Sequence, residues 1–331
     1  MELFLISETM VNDVFVILSN THVKIVEEIL EQRKIEQPLI IDPYDYASDI
    51  DASVFNGVDF KIVDNNHLPL PKSLKNQMNK VRFVKKVVHE MNALKINLFV
   101  PHVGDIVTNV LYNELNLNGL YIYEDGILLY YRHQFQKRDL QRNIIKKVLS
   151  ALKGLKYDSS FTSYVPYERI EDKLHGVYLK FPELYAGESQ KLFQLKNKKI
   201  QFEPSNKILI IGQESYISRY GLQKYLDGIN HLVSHITEPQ SIWYKPHRLS
   251  DEADLREIAM LIDEDRFISD TTPVEEIIEQ IRPKEIYSFS STALLNFKYC
   301  LPEKIKIYAS SYFNDRLINL FDRAGIINIQ E

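Results

Sequence analysis

The sequence predicts an α/β protein of two Rossmann-like domains whose parallel sheets face a cleft. Short β-branched apolar runs alternate with longer segments of helical period from Val14 onward, the pattern of βαβ units. That alternation fades between Tyr157 and Asn206 and restarts at Lys207. At 331 residues the chain exceeds one typical domain and suits two of roughly 100 to 200 residues each. The boundaries that follow are residues 1–156 for an N-terminal domain, 157–206 for a connecting segment, 207–312 for a C-terminal domain and 313–331 for a terminal helix able to pack back on the first domain.

In the first domain, residues 1–6 read as a strand and not as a signal peptide, because Ser7 and Glu8 follow at once and no basic start precedes them. Residues 14–18 form the next strand, and 21–32 a helix with Val23, Val26 and Leu30 on one face, followed by a strand at 38–41. The pattern repeats with a strand at 96–100, a helix at 105–115 and a strand at 120–123. A helix at 143–155 carries apolar Ile144, Ile145, Val148, Leu149 and Leu152. The second domain opens with a buried strand at 208–211 that stops at Gly212-Gln213, then a helix at 219–236. Strands at 241–244, 285–288 and 305–308 are interleaved with helices at 251–262, 274–280 and 291–297. A last helix at 313–324 stops at Gly325.

Composition narrows the function. Hydrophobic residues at 45% and charged residues at 26% are those of an ordinary globular protein. A net charge of -5 argues against nucleic-acid binding as the main task. Cys300 is the only cysteine, so no internal disulfide forms and a reducing cytoplasm is the simplest compartment. No apolar stretch approaches the roughly 20 residues that cross a bilayer, which leaves a soluble or peripherally attached protein. Gly-x-Gly-x-x-Gly and Gly-x-x-x-x-Gly-Lys-Ser/Thr are both absent and the chain has eleven glycines, so dinucleotide oxidoreductases and P-loop enzymes are demoted.

Three short polar motifs each end an apolar run: Tyr123-Glu124-Asp125-Gly126, Tyr244-Lys245-Pro246-His247 and Ser288-Phe289-Ser290-Ser291-Thr292. Strand ends are where open α/β sheets place ligands. Glu124 and Asp125 point to opposite sides of an extended segment, so only one faces a cleft, and Gly126 lets the chain turn. Asp125 is the candidate general base, with Glu124 as support. His247 is aimed out of a sheet end by the proline that holds Lys245 extended, and Lys245 and Arg248 add positive charge suited to phosphate. Ser290, Ser291 and Thr292 open a helix, where hydroxyls and free N–H groups bind an anion. Gly212 and Gln213 end the first strand of the second domain, and His102, with Pro101 and Gly104, ends a strand beside Asp125; both strand ends are candidate ligand-lining positions. The plain alternatives are an acidic turn, a surface histidine and an ordinary helix cap.

In order and placement this trio resembles the bacterial sialyltransferases of glycosyltransferase families 52 and 80, whose signatures are an acidic Asp/Glu-Asp-Gly, a Lys-Pro-His-Pro and a Ser-Ser/Thr pair. Arg248 stands where those enzymes usually carry a second proline. The resemblance implies a GT-B fold, an acceptor-side first domain and a nucleotide-sugar-binding second domain. It further implies an inverting transfer of N-acetylneuraminic acid from CMP-Neu5Ac to a terminal sugar hydroxyl of a bacterial surface glycan, galactose being the expected acceptor. Asp125 would then take the acceptor proton, while His247, Ser290 and Ser291 serve the departing CMP phosphate.

No cofactor and no metal are expected. Asp263-Glu264-Asp265 spells the Asp-x-Asp of metal-dependent glycosyltransferases, but it follows a helix in an acidic stretch and reads as a solvated turn. Basic residues gather from Lys72 to Lys86 and from Lys137 to Lys156; these read as solvated helix faces, or as a peripheral contact with the inner membrane if the acceptor is lipid-linked. The rival readings are a GT-B enzyme with another nucleotide sugar and a non-catalytic glycan-binding protein.

Overall fold

The computed structural model of the chain describes residues 11–64, 70–132, 135–161, 163–164, 170, 173–187, 191–247, 252–269, 272–313 and 316–330. The strand expected at residues 1–6 and the expected role of Arg248 lie outside them. The chain divides into two compact units, Met1–Lys196 and Asn197–Glu331.

The first unit holds a seven-stranded sheet in the order β3-β2-β1-β4-β5-β6-β7. Its strands are β1 (Val11–Val16), β2 (Leu39–Asp42), β3 (Ser53–Asn56), β4 (Lys95–Val100), β5 (Asn116–Tyr123), β6 (Leu174–Leu179) and β7 (Leu192–Gln194). All neighbours pair in parallel. The helices are α1 (Asn20–Arg33), α2 (Leu70–Met91), α3 (Ile106–Glu114) and α4 (Lys137–Ala151). The chain winds outward from β1 through β2 to β3, then returns to place β4 on the other side of β1, so the order reverses between β1 and β4. At such a reversal the connections leave on opposite faces and open a crevice at the strands' carboxyl ends.

β6 and β7 correct the expectation that 157–206 is a connecting segment, since both complete the first sheet and the division between units falls after Lys196. β7 escapes a periodicity search because it holds only three residues, and β6 because His175 and Gly176 interrupt its apolar run. That glycine is fixed by packing: a Cβ there would lie 2.3 Å from the Phe193 ring.

Five of these strands share a row of rings. Phe15 stacks on Phe99 at 4.2 Å and Phe99 on Tyr121 at 4.4 Å, Tyr121 meets Tyr178 at 6.3 Å, and Tyr178 stacks on Phe193 at 4.8 Å. Arg33, at the end of α1, lies 4.7 Å from the Tyr121 ring centre and donates to the Tyr178 hydroxyl at 3.0 Å. α1 buries His22, Ile25, Val26 and Ile29 over this layer, while the predicted Val23 and Leu30 are only partly covered. The buried stripe is thus displaced from the one expected and includes a histidine.

The second unit holds a parallel five-stranded sheet in the order β12-β11-β10-β8-β9. Its strands are β8 (Ile208–Ile211), β9 (Ile242–Lys245), β10 (Glu285–Ser288), β11 (Lys306–Ser310) and β12 (Ile327–Ile329). The helices are α5 (Ile217–Tyr220), α6 (Leu222–Ser234), α7 (Glu252–Ile262), α8 (Val274–Ile281), α9 (Thr292–Cys300) and α10 (Ile318–Arg323). The single helix expected at 219–236 is two, broken at Gly221, whose φ of 88° no other residue type adopts at low cost. Residues 313–331 are corrected as well. α10 is short, Gly325 turns the chain at φ 69°, and β12 pairs with β11, so this tail completes the second sheet.

Candidate functional site

Three adjacent strands of the first unit deliver three ionisable side chains to one point. Asp125 follows β5, His102 follows β4, and His22 lies in the first turn of the helix that follows β1. His22 Nε2 is 3.1 Å from Asp125 Oδ1 and His102 Nε2 is 3.5 Å from Asp125 Oδ2. Each ring is oriented by backbone. The Leu18 N–H donates to His22 Nδ1 at 3.2 Å, and the Gly104 N–H donates to His102 Nδ1 at 3.0 Å. An Nδ1 that accepts leaves the proton on Nε2, so both imidazoles present an N–H to the two carboxylate oxygens. Asp125 keeps 26% of its side chain exposed while His22 keeps 2%, so the carboxylate is open on one side only.

Electrostatics follow from this cradle. Burial alone would push the Asp125 carboxyl up, but the His22 hydrogen bond and the neighbouring His102 outweigh it and hold it below the ordinary carboxylate range. Burial pushes His102 down, with Asp125 and Asp105 pulling the other way without restoring it. The Lys146 ammonium donates to the Gly104 carbonyl at 2.8 Å and so braces the loop that aims His102. Asp105 caps α3 by accepting from the Val107 N–H at 2.9 Å and pairs with buried Lys80 at 3.0 Å.

Glu124 points the other way, as the alternation of an extended segment requires. It is 3% exposed and accepts from the Tyr130 hydroxyl and, at 2.8 Å, from the Lys180 N–H. Burial raises its carboxyl, with Lys180 offsetting part of the rise. Glu124 therefore ties the end of β5 to the end of β6, a supporting contact. Gly126 takes φ 53° and starts the turn.

In the second unit the ends of β8, β9 and β10 lie side by side, and the strand order reverses between β8 and β10. Gln213 spans that reversal: its Oε1 accepts from the Ser290 N–H at 3.1 Å and from the Ser290 hydroxyl at 3.2 Å. Tyr216 shares a hydrogen bond with the same hydroxyl. Ser291 is the N-cap of α9 and accepts from the Ala293 N–H at 3.3 Å, with Thr292 the first helical residue. Ser288 is buried and donates to the Ile211 carbonyl at 2.8 Å.

Glu214 joins the β8 and β9 ends. Buried at 6% exposure, it accepts from the Tyr244 hydroxyl at 2.5 Å and from the His247 N–H at 2.8 Å. Tyr244 in turn meets the Tyr225 hydroxyl at 2.9 Å, and the Gln213 N–H donates to Tyr225 at 2.8 Å. His247 is exposed and follows β9, while Lys245 is the buried last residue of that strand. Gly212 has its reason here too. A Cβ would sit 2.1 Å from Glu214 Oε1 and 2.3 Å from the Tyr244 hydroxyl, so the glycine makes room for this pair.

The three motifs thus resolve into two strand-end clusters, one in each unit. Sequence reasoning placed Asp125, His102, Gln213, Ser290, Ser291 and His247 at strand ends but missed His22 and Glu214. His22 carried a signal in its buried-face spacing with Ile25, Val26 and Ile29; Glu214 was visible only as a carboxylate following a fully buried strand. Asp263 of the acidic turn pairs with Arg266 at 3.3 Å.

Two Rossmann-like units, each with a parallel sheet and a cluster of polar side chains at its strand ends, make up a GT-B fold. An α,α-trehalose-phosphate synthase (UDP-forming) from Burkholderia vietnamiensis has it, at a TM-score of 0.51 and 7% identity over 97% of this chain and 88% of that one. The UDP-GlcNAc 2-epimerase of Neisseria meningitidis aligns at a TM-score of 0.47 and 13% identity over 96% of this chain and 86% of its own. MurG of Acinetobacter baumannii aligns at a TM-score of 0.45 and 9% identity, covering 96% and 85%. No curated protein matches the sequence significantly. The pattern of the alpha-2,8-polysialyltransferase (POLYST) family matches residues 7–310, and the chain belongs to that family. It is a glycosyltransferase of a sialyltransferase family.

Proposed function

We propose that the protein transfers sialic acid from CMP-sialic acid to a sugar hydroxyl with inversion at the anomeric carbon. The reading is supported chiefly by the Asp125 carboxylate, held by two imidazole N–H groups and open on its remaining side. Asp125 accepts the proton of the acceptor hydroxyl as its oxygen bonds to the anomeric carbon. The bond from that carbon to the CMP phosphate oxygen breaks, and the phosphate leaves with the electron pair. A carboxylate of low basicity suffices for this step, because the hydroxyl proton becomes acidic only as its oxygen bonds to an oxocarbenium-like centre.

His247, Lys245 and the Ser290-Ser291-Thr292 helix start would serve the phosphate. The hydroxyls and first N–H groups of α9 are suited to an anion, and Gln213 and Tyr216 fix the Ser290 rotamer. Neither step requires a metal. The family description favours an acceptor that already ends in sialic acid, with an α2,8 linkage formed, over a galactose terminus.

The test incubates the full chain with CMP-Neu5Ac and EDTA against two acceptors, lactose and an α2,8-linked sialic acid oligomer, with product mass as the readout. The oligomer should gain sialic acid units, and Asp125→Ala should abolish this while a CMP-induced rise in Tm persists. Transfer undiminished in Asp125→Ala would remove the assigned base. Failure with both acceptors, together with no thermal shift from CMP, would remove the donor.

A further inference from the structure

We infer that α4 is an interfacial helix that seats the first unit on an anionic lipid surface. The observation is an inverted helix. The side of α4 that packs inward is polar: Asn143 and Ser150 are buried, Asn143 donates to the Phe161 carbonyl and accepts from Tyr157, and Lys146 bonds the Gly104 carbonyl. Its outward side is apolar. Leu140, Ile144, Val148 and Leu152 follow one another at i+4, and the last three are 58%, 53% and 68% exposed. With Ile145 they make five of the thirteen exposed large hydrophobics among the described residues, gathered on one helix where such side chains are ordinarily scattered. The helix of an ordinary surface layer shows the opposite arrangement.

Charge selects the occupant. Residues 70–91 and 137–156 hold thirteen Lys or Arg against Glu90 and Asp139, in a chain whose net charge is -5. Arg138 and Arg142 flank the apolar stripe on one side and Lys147 on the other, all exposed. Exposed Arg82, Lys85 and Lys86 continue the basic surface along α2, where Lys85 donates to the Lys153 carbonyl at 2.9 Å. An apolar stripe bordered by Lys and Arg is the pattern of a helix that lies in the plane of a bilayer. A second copy of the same face would set these cations against one another, which disfavours self-association. Lys146 links α4 to the loop that carries His102.

The test is flotation of the full chain with vesicles of phosphatidylcholine alone or mixed with phosphatidylglycerol. The wild type should float with the mixed vesicles and not with the neutral ones. Ile144→Ser combined with Val148→Ser and Leu152→Ser should weaken binding about tenfold or more at unchanged Tm, since these side chains contact solvent. Arg142→Glu with Lys147→Glu should do the same through charge. The idea is overturned if the wild type stays with the soluble fraction, or if both variants float as it does. Sedimentation that shows a wild-type dimer turned monomeric by the serine variant would assign the face to a second copy instead, and would equally overturn it.

Discussion

Replacing His22 tests whether the imidazole cradle around Asp125 matters to the reaction. His22→Ala removes a donor 3.1 Å from Asp125 Oδ1 and the acceptor of the Leu18 N–H. A hydrogen bond to a charged group contributes about 1.5 to 3 kcal/mol, and an orphaned buried N–H costs about 1 to 3 kcal/mol. Where the carboxylate must be aimed at the acceptor, the first figure corresponds to a loss of about 10- to 150-fold in kcat/KM. The sign of the pH effect is fixed by the same contact. The His22 bond is one of the influences that lower the Asp125 carboxyl, so its removal raises that pKa and moves the acid limb of the rate profile to higher pH. His22→Gln, whose amide can donate to the same oxygen, should recover part of the rate. The assay is CMP release in the presence of acceptor, followed across pH, with Tm measured in parallel. An alanine variant that keeps both wild-type kcat/KM and the wild-type acid limb would refute the role.

Ser291→Asp separates a helix cap from a phosphate ligand. Aspartate caps as well as serine, so Tm should hold, whereas its charge should abolish the thermal shift given by CMP; Ser291→Ala should instead cost about 1 kcal/mol in urea unfolding. Tyr244→Phe strips Glu214 and Tyr225 of a shared partner and should destabilise by about 1 to 3 kcal/mol. CMP should also bind more weakly, because Glu214 holds the His247 backbone. Glu124→Gln probes the latch between β5 and β6. Burial raises the native Glu124 carboxyl, so its contribution is fully present below the ordinary glutamate pKa and declines as pH rises through the native one. The Tm deficit of the variant should shrink from acid to neutral pH, and a widening deficit would contradict the burial argument.

The alternating pattern was legible because each apolar run is long enough to show its period: Ile208–Ile211 and Glu285–Ser288 lie where the residues predict them. β7 and β12 were hidden by brevity, at three residues each, and β6 by His175 and Gly176 within its run. Asp125 and His102 were legible as strand-end residues with suitable chemistry. His22 was not, since a histidine within a helical stripe reads as part of a core, and only the crossing of β1 beside β4 sets it against a residue 103 positions later. The apolar residues of α4 were legible as residues and not in direction, because the bonds from Asn143 and Lys146 that turn them outward join elements the sequence does not show to be neighbours.

The row of rings from Phe15 to Phe193 acts on the chemistry without touching it. Each ring belongs to a strand; two of those strands lead directly into His102 and Asp125, and a third into the helix whose first turn carries His22. Sliding one strand past its neighbour by a single residue would shift its end by about 3.3 Å and turn its side chains to the other face. That displacement is as large as the 3.1 and 3.5 Å contacts that hold the carboxylate. The stacked rings therefore work as an alignment gauge set into the sheet. A ring-to-aliphatic change such as Phe99→Leu belongs with lesions of the site, although its stacking partners lie on neighbouring strands and not among the three ionisable groups.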